Sequence, residues 1–480
     1  METVHNSSNI DVLVVGSPFK FMGGGQRRVH EVIRYYPSIT AKTTLYIPYS
    51  HLVVVKALSQ LYEIDEREIF GELEILEKND IYVPQVLYTM LESAEKDSLK
   101  YFKNLEKGGI TYILENLRKL LPIINKEDLQ YAKQFLKCQQ EYCYYDHICN
   151  KKIVYVMDNF PEFIYSGSFI SEILGRPLFI LLQSIPINSI RDITVKEYIR
   201  IKRFYQRSLY RALSRLSLVI LQQAYFNCKS LYIYSSVRQN LRGLFSVSQV
   251  PLKYSKLDEW ARKNGILTKV IVPGNSVNET IRAYLKERER ILKHKEDYAI
   301  FYGRLGFAKG LFEIPLIAKY LQQHGYELFL LGRFDNNIEK ALFERLCKQL
   351  NVKNIKYLGF LEGKELYELV ARSKVLIYPS HYDAFSLVVL ESLFLGNHVV
   401  AYNIPAITSV YGNLSSVKTV EEYDCKAMAT EAIKILKMDI NQFTDIQNDP
   451  LTLKFLELHS SWENVAKAEI KNIQEIIRSC

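Results

Sequence analysis

The sequence has no apolar run of the roughly 18 residues a membrane-spanning helix needs. The longest candidates, such as Pro177–Ile187, are broken by Gln183, Ser184 and Pro186. It has no leader pattern either: Met1–Asn9 is polar, and the apolar stretch Ile10–Gly16 is short and alone. It lacks a disulfide framework, since the seven cysteines are odd in number and irregularly spaced. Free thiols in a reducing compartment are expected, and with them a cytoplasmic location. The Asn-x-Ser/Thr sequons at Asn6, Asn278 and Asn413 then have no use, because glycosylation requires export. There is no helix-turn-helix or zinc-finger pattern, so nucleic acid is not an expected partner. Cys138, Cys143, His147 and Cys149 cluster, but not at standard zinc spacing. They are expected to pack in a Tyr- and Cys-rich helix, and no metal is expected.

What is present is an ordinary globular composition. Hydrophobic residues make up 48% and charged residues 24% of 480, which excludes a disordered or fibrous chain and allows two or three domains. The net charge of +9 is mild and fits an acidic partner, such as a phosphate-bearing substrate or an anionic membrane face.

Short apolar runs ending in glycine or polar residues alternate with helical patterns. The first is Asp11–Gly16, followed by Gly23-Gly24-Gly25 and a helix from Gln26 to Tyr36 stopped by Pro37. Further strands are expected at Thr44–Pro48, Ile153–Met157, Leu178–Gln183, Leu218–Leu221, Ser230–Tyr234 and Val270–Pro273. Residues 90–150 read as a helical insertion. The Lys-, Arg- and Glu-dense segment 281–297 reads as a solvated helical connector. The alternation then restarts, with strands at Tyr298–Tyr302, Glu327–Leu331, Ile355–Leu358, Val375–Tyr378 and His398–Tyr402. A terminal helix is expected from Ser460 to Ser479. The expected class is α/β, with two doubly wound, Rossmann-like domains facing a cleft. The domains are 1–280, a linker 281–297, 298–458, and a helix 459–480 returning to the first domain.

Four stretches of the second half suit a phosphate-bearing ligand. Gly303-Arg304-Leu305-Gly306-Phe307-Ala308-Lys309-Gly310 follows a strand. Its glycines let backbone approach a ligand, and Arg304 and Lys309 supply a planar fork and a point charge. Leu331-Gly332 ends a strand at the same sheet edge. Leu358-Gly359-Phe360 offers a strand end for a base. Pro379–Glu391 follows a strand and opens a helix whose first N–H groups make an anion site. Asp383 falls in the loop, where a plain helix cap is the alternative. Glu391 lies about two turns into the helix, between Leu390 and Leu393, where a charge is costly without a partner.

Together these stretches, over about Ile300–Ile407, resemble the donor-binding domain of family 4 glycosyltransferases, retaining enzymes of the GT-B fold. That family carries Gly-Arg-(x)-Lys-Gly after the domain's first strand, Leu-Gly-Phe, Pro-Ser, and two glutamates separated by seven residues. Here the pair is Asp383 and Glu391. Over the first half the resemblance is looser, resting on Gly23-Gly24-Gly25 and Tyr234-Ser235-Ser236. It implies transfer of a hexose-type sugar from a UDP- or GDP-linked donor to a glycan or lipid-linked acceptor, without cofactor. Arg304 and Lys309 would grip the diphosphate, Glu391 the ribose and Asp383 the transferred sugar. The amides of Phe385, Ser386 and Leu387 would hold sugar or phosphate, with Gly303, Gly332 and Phe360 around them. Gly24 and Gly25 would let the N-domain loop close on the donor. Gln183 stands where many relatives have a histidine, and Pro273–Asn278 replaces the family's Pro-Asn-Gly-x-Asp. The sequence holds no Asp-x-Asp pair, the usual diphosphate–metal bridge in other glycosyltransferases. A nucleotide-sugar-binding pseudoenzyme, or a hydrolase or epimerase, remains the alternative. Arg200, Arg203, Arg207, Arg211 and Arg215 recur at helical spacing. They read as a cationic stripe for peripheral binding to an anionic inner-membrane face, or as a solvated helix face.

Overall fold

The computed structural model describes residues 10–61, 63–98, 130–137, 152–159, 161–184, 240–254, 257–335 and 337–479. The chain divides into two compact units. Unit 1 is Met1–Val272 with Glu463–Cys480, and unit 2 is Pro273–Trp462.

Unit 1 is built on β1 (Asp11–Val15), β2 (Lys42–Tyr46), β3 (Ile81–Tyr82), β4 (Lys152–Val156), β5 (Leu178–Leu182), β6 (Leu241–Ser246) and β7 (Leu267–Val270). Their spatial order is β3-β2-β1-β4-β5-β6-β7, with parallel pairing throughout. Unit 2 repeats the plan with β8 (Glu296–Tyr302), β9 (Leu328–Leu331), β10 (Ile355–Tyr357), β11 (Ser373–Tyr378), β12 (His398–Tyr402) and β13 (Val417–Val420). Their order is β10-β9-β8-β11-β12-β13. In each sheet the winding reverses beside the first strand, between β1 and β4 and between β8 and β11. Ligands of doubly wound sheets bind at this switch point, outside the strands' carboxyl ends. Central strands buried on both faces need continuous apolar runs. β5 is Leu-Phe-Ile-Leu-Leu and wholly buried, and β12 is buried along its length.

Three strands were not among those expected: β3, β6 and β13. β6 escapes the pattern because Arg242 is exposed and Gly243 is not apolar. The glycine has a packing reason: a Cβ there would lie 2.7 Å from the Phe179 ring on β5. β7 ends at Val270, so the expected span Val270–Pro273 falls three residues late. The segment 281–297 is largely helical, as expected, but not solvated throughout. It holds the helices Glu279–Lys286 and Arg288–Lys293 and the start of β8. Arg288 is buried and donates to Leu393 O at 3.2 Å and Gln447 O at 2.6 Å, so a residue read as surface charge pins two parts of unit 2. Within the expected insertion, residues 85–98 and 130–137 are helical. Tyr131 and Phe135 pack their rings on Tyr46 of β2 at 5.1 and 4.7 Å. The strands expected at Leu218–Leu221 and Ser230–Tyr234, the Arg200–Arg215 stripe and the Cys138–Cys149 cluster lie outside the described residues. Among the described residues, no helix is long and apolar enough to cross a membrane.

Four helices matter below: α1 (Gly24–Ile33), α2 (Ile314–Gln323), α3 (Leu387–Phe394) and α4 (Trp462–Ser479). Residues of α4 from Glu463 onward belong to unit 1. There Glu469 forms an ion pair with Arg28 of α1 and accepts a hydrogen bond from the Tyr36 hydroxyl. Arg28 is 1% and Glu469 0% exposed.

Candidate active site

Within unit 2 the ends of β8, β9 and β10 meet through glycines. Gly332 has φ 137°, and a Cβ on it would overlap the carbonyl oxygen of Gly303. Its N–H donates to Gly359 O at 2.7 Å. Gly303, at φ 132°, lies under the first turn of α3, where a Cβ would be 3.7 Å from Val388. The loops continue the pairing beyond the strands: Leu305 N–H donates to Arg333 O at 2.8 Å and Asp335 N–H to Leu305 O at 3.0 Å. Asp335 folds over Gly306, where a side chain would occupy the carboxylate's place. Arg304 Nε lies 3.3 Å from Asp335 Oδ1 while the Arg304 side chain stays 61% exposed. Burial pushes the Asp335 carboxyl above its usual range, against the pull of Arg304 and Lys309.

Lys309 ends the one-turn helix Phe307–Lys309, stopped by Gly310 at φ 76°. Its ammonium donates to Asp383 Oδ2 at 2.9 Å, Tyr382 O at 3.3 Å and Tyr378 Oη at 3.3 Å. The Tyr378 hydroxyl donates to the same Asp383 oxygen, and Asp383 Oδ1 accepts the Ala384 N–H at 2.9 Å. Burial opposes both charges. The pair outweighs it: Asp383 holds Lys309 above the usual ammonium range, and Lys309 with the Tyr378 hydroxyl holds Asp383 below the usual carboxylate range. Burial, reinforced by Asp383, pushes Tyr378 up to about 12. The outcome is a charged lysine–carboxylate couple at the carboxyl ends of β8 and β11.

Asp383 is therefore no helix cap. That role falls to Ser386, whose Oγ accepts the Val389 N–H at 3.3 Å, so α3 starts at Leu387. Phe385 is buried edge-on against Tyr411, centroids 5.7 Å apart, and the Tyr411 hydroxyl donates to Ser386 O at 2.6 Å. Leu387 is half-buried and Glu391 is buried in the second turn of α3. Phe360 is exposed, and the Arg333 guanidinium sits 3.9 Å from its ring centroid, a cation–π contact.

In unit 1, Gly23 at φ 150° leads into α1, which begins at Gly24. A Cβ on Gly25 would lie 3.3 Å from Gln183 Oε1, so the glycine loop and Gln183 meet where β1 and β5 end. Gln183 donates through its side chain to Met157 O and through its N–H to Asn159 Oδ1 at 2.9 Å. Gln26 donates to Asp158 Oδ2 at 2.9 Å.

Sequence reasoning missed Tyr378, Asp335, Asp158 and Asn159. The last two carried a readable signal, a polar pair directly after an apolar strand. Among the described residues, no group of three or more His, Cys, Asp or Glu side chains could hold a metal ion.

The loop geometry gives a stability prediction. A Cβ on Gly310 would fall on the carbonyl oxygen of Pro379, in a left-handed turn. Gly325, at φ 79°, has open space around it. Gly325→Ala should lose only the backbone preference, about 1 kcal/mol. Gly310→Ala should lose clearly more in denaturant unfolding, and equal losses would show that the turn and Pro379 are not packed as described.

The two units together have the GT-B glycosyltransferase fold. HepE of Anabaena, solved in complex with UDP and glucose, aligns at TM-score 0.58 with 13% identity, over 97% of this chain and 100% of its own. A glycosyltransferase from Rickettsia africae aligns at TM-score 0.57 with 15% identity, over 98% and 100%. Residues 283–448 match the family model for glycosyl transferases group 1. An uncharacterized glycosyltransferase of Methanocaldococcus jannaschii is 25% identical over 191 residues, 39% of this chain and 45% of its own length. The chain thus spans under half of that curated relative. The family match thus covers part of the second half of the chain, and the fold likeness covers nearly all of it.

Proposed function

We propose that the protein transfers a hexose-type sugar, with retention, from a nucleoside-diphosphate donor to a glycan or lipid-linked acceptor. The observation that carries this reading is the Lys309–Asp383 couple at the switch point of unit 2, with exposed Arg304 beside a glycine-lined loop. Cations at that edge suit a diphosphate leaving group. As the bond from the anomeric carbon to the β-phosphate oxygen breaks, the electron pair stays with the phosphate, and Arg304 and Lys309 stabilise the charge that develops. Asp383, oriented by Lys309 and Tyr378, would accept from hydroxyls of the transferred sugar. Glu391 would take the ribose hydroxyls side by side. The free N–H groups of Phe385, Ser386 and Leu387 at the start of α3 would hold sugar or phosphate. Gly303, Gly332 and Phe360 would border the nucleotide, and Gly24, Gly25 and Gln183 of unit 1 would contribute to substrate binding. UDP in the neighbour HepE favours a uridine donor for the first trials. The decisive experiment incubates purified protein with UDP- and GDP-sugars, with and without membrane lipid extract. Release of free UDP or GDP with sugar on an acceptor supports transfer. Release with free sugar only supports hydrolysis.

With Arg304 and Lys309 in place of a Lewis acid, and no Asp-x-Asp pair in the sequence, activity should persist in EDTA. Loss in EDTA with rescue by manganese would overturn that expectation.

A further inference from the structure

The loop that carries Asp383 also carries His381, held between two carboxylates. Nε2 lies 3.1 Å from Glu313 Oε1, and Nδ1 lies 3.2 Å from Glu422 Oε1. Glu313 is the residue before α2, and Glu422 follows β13. The His381 side chain is 2% exposed, Glu313 3% and Glu422 24%. A neutral imidazole has one N–H and one lone pair, so it could donate to only one of these oxygens; an imidazolium donates to both. The ring stacks on Tyr423 at 4.4 Å and on Tyr402 of β12 at 5.4 Å, with Phe307 at 6.0 Å.

The same stretch is tied to the lysine turn through backbone. His381 N–H donates to Ala308 O at 3.0 Å. The Ser380 hydroxyl lies 3.3 Å from Ala308 O and 3.0 Å from Tyr382 O. Tyr382 O is also an acceptor of the Lys309 ammonium. One side chain thus joins the start of α2 and the segment after β13 to the loop that aligns Lys309 with Asp383.

We propose that His381, as an imidazolium, is a positioning residue: its clamp on Glu313 and Glu422 sets the loop that pairs Asp383 with Lys309, and deprotonation releases it. The consequence for nucleotide affinity rests on the proposed function; the clamp itself does not.

The titratable groups facing the ring are Glu313, Glu422, Tyr402 and Tyr423, with Cys425 behind Tyr402 at 3.7 Å. Burial disfavours the charged ring, but Glu313 and Glu422 outweigh it and raise His381 from 6.5 to about 9. The folded value lies above the unfolded one. The clamp's stabilisation is therefore complete below about 6.5 and is lost as pH rises through about 9. Lys309 is itself raised and Tyr378 stands near 12. A change between pH 8 and 10 accordingly does not arise from the couple that His381 positions.

The test uses the full-length protein. In histidine-labelled NMR spectra, the resonance lost in His381→Gln should titrate with a midpoint near 9. In lysine-labelled protein, the Lys309 amide, identified with Lys309→Arg, should move with that midpoint in wild type and stay still in His381→Gln. UDP affinity should fall by roughly tenfold across the same range, a typical coupling, and should be weaker but flat in His381→Gln. By reciprocity, saturating UDP should raise the His381 midpoint by about one unit. Should His381→Gln not fold, Glu422→Gln removes the more exposed carboxylate and should lower the midpoint by about one unit. A midpoint at or below about 7, a still Lys309 amide while His381 titrates, or parallel loss of UDP affinity in wild type and variant overturns the proposal. If wild type does not bind UDP at pH 7, the uridine-donor reading fails, and the two NMR titrations alone decide the clamp.

Discussion

Lys309→Ala is expected to lower sugar transfer on the order of 10²–10³-fold, the range found when one preorganised group that meets developing charge is removed. The effect should fall on kcat as well as KM, because the diphosphate carries more charge when leaving than when bound in the donor. Two losses combine in this variant. The leaving group loses an ammonium, and Asp383 loses the partner that holds it ionised in a largely buried place. Arg304→Ala should cost less, since its side chain is 61% exposed and water screens it. Steady-state kinetics with the preferred nucleotide-sugar decide the matter. If Lys309→Ala turns over within a factor of about three of wild type, the couple is only structural.

The largest stability effect should come from a residue of unit 1. Glu469→Ala leaves Arg28 as a buried charge without its carboxylate, and breaking such a pair costs about 3–5 kcal/mol. Thermal unfolding should shift down on the order of 10 °C. The double variant Arg28→Met/Glu469→Leu should recover most of the loss, because a buried pair replaced by apolar residues of similar volume is often neutral or better. A single variant no worse than the double would mean that the pair contributes no specific interaction.

These two sites also show what could be read from the sequence. The sheet strands were legible where continuous apolar runs meet the demand of burial on both faces, as in Leu178–Leu182 and His398–Tyr402. The glycine loops were legible because a left-handed backbone, or one pressed against another chain segment, admits little else: Gly303, Gly310 and Gly332 are such places. Lys309 and Asp383 were each singled out by local motif. That they bind each other was not, since 74 residues separate them. Asp383 was weighed as a cap from its place before a helix, but Ser386 three residues on serves better because its oxygen reaches Val389 N–H. Glu313, His381 and Glu422 look like scattered surface residues, as their partners lie 68 and 41 positions away. Arg28 and Glu469 are 441 apart, and no periodicity announces a pair at that distance.

The discontinuity of unit 1 also governs how the protein is made. The residues of unit 1 before Pro273 leave the ribosome first, yet the carboxylate for Arg28 is translated only after all of unit 2. At 5–20 residues per second, those roughly 190 intervening residues take about 10–40 s. Through that interval Arg28 lacks the Glu469 carboxylate, while unit 2 is contiguous in the chain. The second half of the chain can therefore reach its final form before the first half.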